Sequence, residues 1–226
     1  MIYTRFAIAA IAAYLLGSIP FGLLIARAHG KDLRSIGSGN IGATNVSRAL
    51  GRKWAYVCFF LDVLKGLIPT LAAMYIAGPQ ANLSSTEKII TLWLWLAVGC
   101  AAIAGHIFPL YIRFKGGKGV ATSFGVALGI WPYYTICAAI AMTTWLTVVL
   151  IWRYVSLASI VASAAFPITL TFAIILAKQW HFAALWPLLV IAVAIPLMVT
   201  IRHRQNIKRI LAGTESKIRQ GKARKN

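Results

Sequence analysis

Apolar residues run along this chain in long blocks, separated by short stretches where glycine, lysine and arginine collect. A helix needs about 20 mainly apolar residues to cross the hydrocarbon core of a membrane. Blocks of that length fall at residues 4–26, 54–77, 88–112 and 181–201. The stretch from 119 to 178 is too long for two spans and is interrupted at Trp131-Pro132 and at Arg153. Three shorter spans are expected there, 119–131, 132–152 and 154–177. The pattern predicts an all-α integral membrane protein with seven transmembrane helices. The first block has little basic n-region and outruns a signal-peptide h-region, so it reads as a retained membrane helix.

Composition agrees. Of 226 residues, 60% are hydrophobic, and a mean hydropathy of +0.77 excludes a cytosolic globule. The charges are lopsided, 23 Lys and Arg against 4 Asp and Glu, for a formal charge of +19. Lysines and arginines collect on the cytoplasmic side of membrane proteins. With the N-terminus outside, the inner segments hold six in residues 27–53, three in 113–118, Arg153, and nine after Ile201. Only Arg5, Lys88 and Lys178 remain outside, and Lys65 lies within a span. The C-terminus is therefore expected in the cytoplasm. No soluble piece is large enough for its own core, and no internal repeat of the transporter kind stands out. The chain reads as one membrane domain, 1–226, with cytoplasmic segments at 27–53, 113–122 and 202–226.

So basic a protein seeks anions, but its cations lie between apolar blocks and not on a solvated face. Nucleic acid is not expected; phosphorylated small molecules and anionic membrane lipid are. Cys58, Cys100 and Cys137 all fall inside apolar blocks and read as small buried hydrophobes.

The first cytoplasmic segment contains Gly37-Ser38-Gly39-Asn40-Ile41-Gly42-Ala43-Thr44-Asn45, then Arg48. Its glycines permit tight turns with exposed N–H groups, and Ser38, Asn40, Thr44, Asn45 and Arg48 add donors suited to an oxyanion. A flexible polar loop is the plainer alternative. The second, Phe114-Lys115-Gly116-Gly117-Lys118-Gly119, runs straight into a predicted helix. Glycines at a helix start would bring N–H groups and the positive dipole end onto a phosphate, with Lys115 and Lys118 adding charge. Lysines marking a membrane boundary would not call for three glycines. A Walker A loop is excluded, because Ile112 stands where its early glycine belongs and Gly119 follows Lys118. In the third, Arg202-His203-Arg204-Gln205-Asn206-Ile207-Lys208-Arg209, residues His203 and Asn206 share a helical face. That segment could reach the same site or rest on anionic lipid.

Ser156 and Ser159 share a face at the inner end of a span and point to the site or pack between helices. Asp62 and Lys65, three apart within a span, read as a mutual pair. His106 with Pro109 reads as a kink with a satisfied histidine, close to the site at most. The scattered Asp32, Asp62, Glu87 and Glu215 cannot build a magnesium-dependent phosphotransferase site, so neither metal nor cofactor is expected.

At these segments the sequence resembles the bacterial acyl phosphate:glycerol-3-phosphate acyltransferases of the PlsY type. The resemblance rests on Gly17-Ser18-Ile19-Pro20-Phe21-Gly22, GSGNIGATNVSR at 37–48, FKGGKGVAT at 114–122, Ser156-Leu157-Ala158-Ser159, and RHRQNIKRILAGTES at 202–216. It implies a seven-helix enzyme of the bacterial inner membrane with its active site at the cytoplasmic face. Its substrates would be glycerol-3-phosphate and a fatty acyl phosphate, its products lysophosphatidate and inorganic phosphate. Carried over by motif, Ser38, Arg48, Lys118, His203 and Asn206 are the expected catalytic residues. Asn40, Thr44, Asn45, Lys115, Gly116, Gly117, Gly119 and Ser156 are the expected substrate-binding ones, and Glu215 would hold the third segment together. The His-to-Asp motif of the better-known acyltransferases is absent: Arg34, Tyr111, Trp186 and Lys208 stand five positions after the four histidines. The proton acceptor stays open between His203 and a substrate phosphate oxygen. A transporter for a phosphorylated metabolite is the competing expectation, against which all three polar clusters fall on one side.

Overall fold

In the computed structural model the described residues are 1–79 and 83–218, and they form ten α-helices. The remainder of the basic tail, expected as part of the third segment, lies outside them. Six stretches are long and apolar enough to cross a membrane: Ile2–Ala28, Arg52–Ala77, Ser85–Ile112, Thr135–Trp152, Val155–Leu176 and Phe182–Arg202. In hydrocarbon every backbone group must find its partner within the protein, which a helix does alone. Large apolar side chains such as Phe60, Leu150, Phe172 and Leu176 accordingly stay exposed on the outer faces, where lipid is their solvent.

The segment expected as the fourth span departs from the prediction. It forms α6, Val120–Gly129, of ten residues, about 15 Å long against a hydrocarbon core of about 30 Å. The chain leaves it through Trp131-Pro132, where proline stops the helix. By length and composition the described chain has six full spans, not seven. The first span is also broken, into α1 (Ile2–Gly17) and α2 (Phe21–Ala28). Pro20 interrupts the hydrogen-bond ladder, and the Ile19 carbonyl accepts instead from Lys65 Nζ at 2.9 Å.

Lysine 65 belongs to α4 (Arg52–Ala77), which follows the short α3 (Ala43–Leu50). Bare glycines let α4 lie against α6. A Cβ on Gly66 would stand 2.3 Å from the Thr122 carbonyl oxygen, and one on Gly125 2.0 Å from that of Val63. With Gly66 at Thr122 and Gly129 at Thr70, the two helices run side by side in the same direction. Helix α5 (Ser85–Ile107) meets α1 in the same manner, Gly105 against Tyr14 and Gly17 against Ala102. Small residues at such contacts suit a membrane interior, where close packing replaces the hydrophobic effect as the source of association.

The remaining helices are α7 (Thr135–Trp152), α8 (Val155–Leu176), α9 (Phe182–Arg202) and α10 (Arg204–Leu211). Arg153, in the left-handed region at φ 62°, turns the chain between α7 and α8. Its carbonyl accepts from the Ile218 N–H at 2.9 Å, so the C-terminal segment folds back over that turn. Asp62 and Lys65 pair at 2.8 Å, both buried. All three cysteines are free.

Candidate active site

One side chain ties three points of the loop from 29 to 42 to α3. Asn45 on α3 is buried; its Oδ1 accepts from the Ser38 N–H at 3.1 Å, and its Nδ2 donates to the carbonyls of Leu33 (3.0 Å) and Ile36 (2.9 Å). Expected as a substrate ligand, Asn45 instead spends its amide on the backbone. Gly37, at φ 58°, makes this possible, because a Cβ there would lie 2.5 Å from Asn45 Oδ1. Asn40 Oδ1 accepts from the Gly42 N–H at 3.0 Å and so turns the chain into α3. The stem of Arg48 passes beside Gly37.

The glycine-rich loop 114–119 is pressed onto the end of α5. The Gly117 N–H donates to the His106 carbonyl at 3.1 Å. A Cβ on Gly117 would lie 2.2 Å from His106 Nε2, and one on Gly116 2.2 Å from the His106 carbonyl oxygen. These two glycines are thus close-approach residues; the Gly117 amide, expected to face a phosphate, is used internally. Gly119, at φ 81°, swings the chain into α6. Arg202 Nη2 clamps the loop from the other side, donating to the carbonyls of Gly117 at 2.7 Å and Gly116 at 3.4 Å.

The third segment supplies the network under Lys118. Lys118 Nζ donates to Asn206 Oδ1 at 2.5 Å, and Asn206 Nδ2 donates to Glu215 Oε1 at 2.6 Å. The same carboxylate accepts from Ser156 Oγ at 2.9 Å and from Arg209 Nε at 2.7 Å. Four segments of chain are tied through one buried acid.

Above this network lies a cleft of about 200 Å³ lined by Ser38, Asn40, Lys118, Arg202, Arg204, Gln205, Asn206 and Arg209. A wider, more open one of about 540 Å³ adjoins it through Ser38, Asn40 and Arg202, and adds Arg34, Phe114, Lys115 and Gly116. Of the predicted site residues, Ser38, Asn40, Lys115, Gly116, Lys118 and Asn206 line one or both clefts. Thr44, Asn45, Arg48, Gly117, Gly119, Ser156 and His203 line neither. The sequence reading passed over Arg202, Arg204, Gln205 and Arg209, although Arg209 stands three positions after Asn206 on the same face of α10.

Burial lowers the Lys118 ammonium to about 8; Glu215 opposes that shift, while Arg209, Arg48 and Arg202 add to it. His203 is buried, and burial with the neighbouring Lys118 charge brings its imidazole down to about 4. At neutral pH the ring is uncharged, its Nδ1 2.8 Å from the Val199 carbonyl and therefore carrying the proton. Burial works to raise the Glu215 acid, but hydrogen bonds from Arg209, Asn206 and Ser156 outweigh it and hold the group below its usual range. The clefts are thus cationic, and the Glu215 carboxylate beneath Lys118 is engaged by Ser156, Asn206 and Arg209.

Such a pair of clefts suits phosphorylated ligands, and the relatives agree. The glycerol-3-phosphate acyltransferase family matches residues 7–213. A glycerol-3-phosphate acyltransferase of Geotalea daltonii is 45% identical over 91% of this chain and 94% of its own length. The chain belongs to the glycerol-3-phosphate acyltransferase family. The acyltransferase of Aquifex aeolicus is 44% identical over 91% of this enzyme and 95% of its own length. Crystal structures of PlsY (YgiH), an integral membrane glycerol 3-phosphate acyltransferase, share the fold of this acyltransferase. The glycerol 3-phosphate form superposes with a TM-score of 0.78 at 40% identity, covering 95% of this chain and 96% of that one. The lysophosphatidic acid form gives 0.76 at 39% identity, with the same coverage. The enzyme is a multi-pass integral membrane acyltransferase, and the transporter reading is set aside.

Proposed function

We propose that this acyltransferase joins glycerol-3-phosphate to a fatty acyl phosphate, releasing lysophosphatidate and inorganic phosphate at the cytoplasmic face of a bacterial inner membrane. The observation that carries the reading is the pair of adjoining cationic clefts around Lys118, Ser38 and Arg202, which suits two phosphorylated substrates meeting head to head. The lysine and arginine asymmetry supports an inward site with the N-terminus outside. The short α6, running with α4, supports seven traverses, the fourth being a partial one.

The glycerol 1-hydroxyl oxygen attacks the acyl carbonyl carbon; the carbon–oxygen bond to the donor phosphate breaks, and phosphate departs with the electron pair. Lys118 and Arg202 offset the repulsion between two anions and hold them in line, an alignment worth about 7–11 kcal/mol at best. Ser38 and Asn40 orient the headgroups, and Asn206 aims Lys118. Arg48, behind Gly37, adds long-range positive charge. The hydroxyl proton passes to a substrate phosphate oxygen; the buried, weakly basic His203 supports that choice over a histidine base. The acyl chain lies among the membrane helices.

The test is phosphate release by purified protein given glycerol-3-phosphate and palmitoyl phosphate, with palmitoyl-CoA and Lys118→Ala alongside. Release needing both substrates, absent with the CoA ester and collapsing in the variant, is expected. Turnover of the CoA ester at a comparable rate would overturn the choice of donor.

A further inference from the structure

Beneath the glycine-rich loop lies a cluster that the reaction as described does not use. Asp62 and Lys65 on α4 and His106 on α5 are all buried, and Asp62 Oδ1 stands 2.8 Å from Lys65 Nζ and 3.6 Å from His106 Nδ1. That Nδ1 has no hydrogen-bond partner among the described residues. Ionised groups within membrane spans are costly. A buried pair, moreover, is seldom more stabilising than apolar side chains of the same volume. Stability alone is therefore a weak reason for this cluster.

Its position supplies a better one. The far edge of the His106 ring meets Gly117, where a Cβ would lie 2.2 Å from Nε2, and the His106 carbonyl holds the Gly117 N–H at 3.1 Å. Ring and backbone of one residue thus support the turn that presents Lys118. On the other side, Lys65 Nζ donates at 2.9 Å to the Ile19 carbonyl, at the helix break that leads into the first cleft-lining segment. One cluster underlies both segments.

We propose that His106, its Nδ1 faced at 3.6 Å by the Asp62 carboxylate, is a positioning residue that sets the height of the 116–118 turn and so the placement of the Lys118 ammonium at the substrate phosphate. The inference rests on the reading of Lys118 as a phosphate ligand. Lys65 neutralises Asp62 and anchors it to the α1–α2 break, so the pair acts as a fixed abutment for the ring.

Two charge-neutral double variants separate positioning from mere bulk. Asp62→Asn with Lys65→Met keeps an acceptor oxygen beside His106; Asp62→Leu with Lys65→Met removes it. The KM for glycerol-3-phosphate is the readout, because partial loss of folded protein lowers apparent kcat but leaves KM unchanged. His106→Ala and the acceptor-less double variant are expected to raise that KM about tenfold or more, the effect of losing a hydrogen bond to a charged group. The acceptor-keeping double variant stays within about threefold of the parent. Unchanged KM in His106→Ala, or equal KM in the two double variants, overturns the proposal. Lys118→Ala, run beside them, tests the underlying reading: if its KM does not rise, the phosphate-ligand role fails first, whatever the His106 variants do.

Discussion

Lys118 and Asn206 meet at 2.5 Å across 88 positions of sequence, and the contact joins the glycine-rich loop to the C-terminal segment. Asn206 in turn is fixed by Glu215, so the ammonium is held by a chain of two side chains. Removing Lys118 takes away the charge itself; removing Asn206 leaves the charge but frees its direction. Lys118→Ala should lower kcat/KM by about 10²–10³, and Asn206→Ala by about tenfold to a hundredfold, the range for losing a hydrogen bond to a charged group. Steady-state phosphate release over a range of glycerol-3-phosphate concentrations measures both.

Glu215 organises without needing to touch substrate. Glu215→Ala should lower both activity and the thermal midpoint in detergent, because Ser156, Asn206 and Arg209 all lose their acceptor. Glu215→Gln keeps Oε1 and should recover part of each. The folded carboxyl lies below its usual range, so its contribution is present above the unfolded value of about 4.3 and is lost as pH falls through the folded one. The midpoint of the parent should therefore drop more steeply than that of Glu215→Gln below about pH 4.3.

The Lys118 value of about 8 sets two opposite trends. In the proposed mechanism the amine acts as a cation, so kcat/KM for glycerol-3-phosphate should fall as pH rises through about 8. Stability should move the other way. The folded state gives up this proton before the unfolded chain does, and raising pH from about 8 toward about 10.4 removes a burial cost. The difference in midpoint between the parent and Lys118→Met, followed over that window, isolates the second trend.

His203 titrates near 4 in the fold, well below the pH at which an ordinary histidine base shows itself. His203→Gln should lower turnover by no more than about tenfold and leave the acidic limb of the rate profile in place. Disappearance of a limb near pH 6.5 in that variant would restore the histidine as base.

The sequence made the membrane architecture legible because span length is a one-dimensional property, and the interruptions at Trp131-Pro132 and Arg153 correspond to real turns. It did not show that 119–131 forms a helix of only ten residues, because apolar composition does not distinguish a full-length span from a short one packed among its neighbours. The break at Pro20 was hidden in the same way. At the site, residue types pointed to anions, but the partners did not follow from them. Asn45 looks like a ligand until its three backbone bonds are seen, and Gly117 looks like an amide donor until His106 is found beneath it. Arg202 was overlooked because its importance lies in two carbonyls 85 and 86 positions away, a distance no local pattern spans.

The tie between Lys118 and the C-terminal segment also has a meaning in time. A chain made from its N-terminus threads its first helices into the bilayer long before Arg202, Asn206 and Glu215 have been synthesised. Until they dock, the loop lacks its clamp and its lysine lacks its guide. On the proposed mechanism the nascent protein stays inert throughout its insertion, and the docking of this last segment completes the site. A chain ended after Leu176 should release no phosphate from the substrate pair.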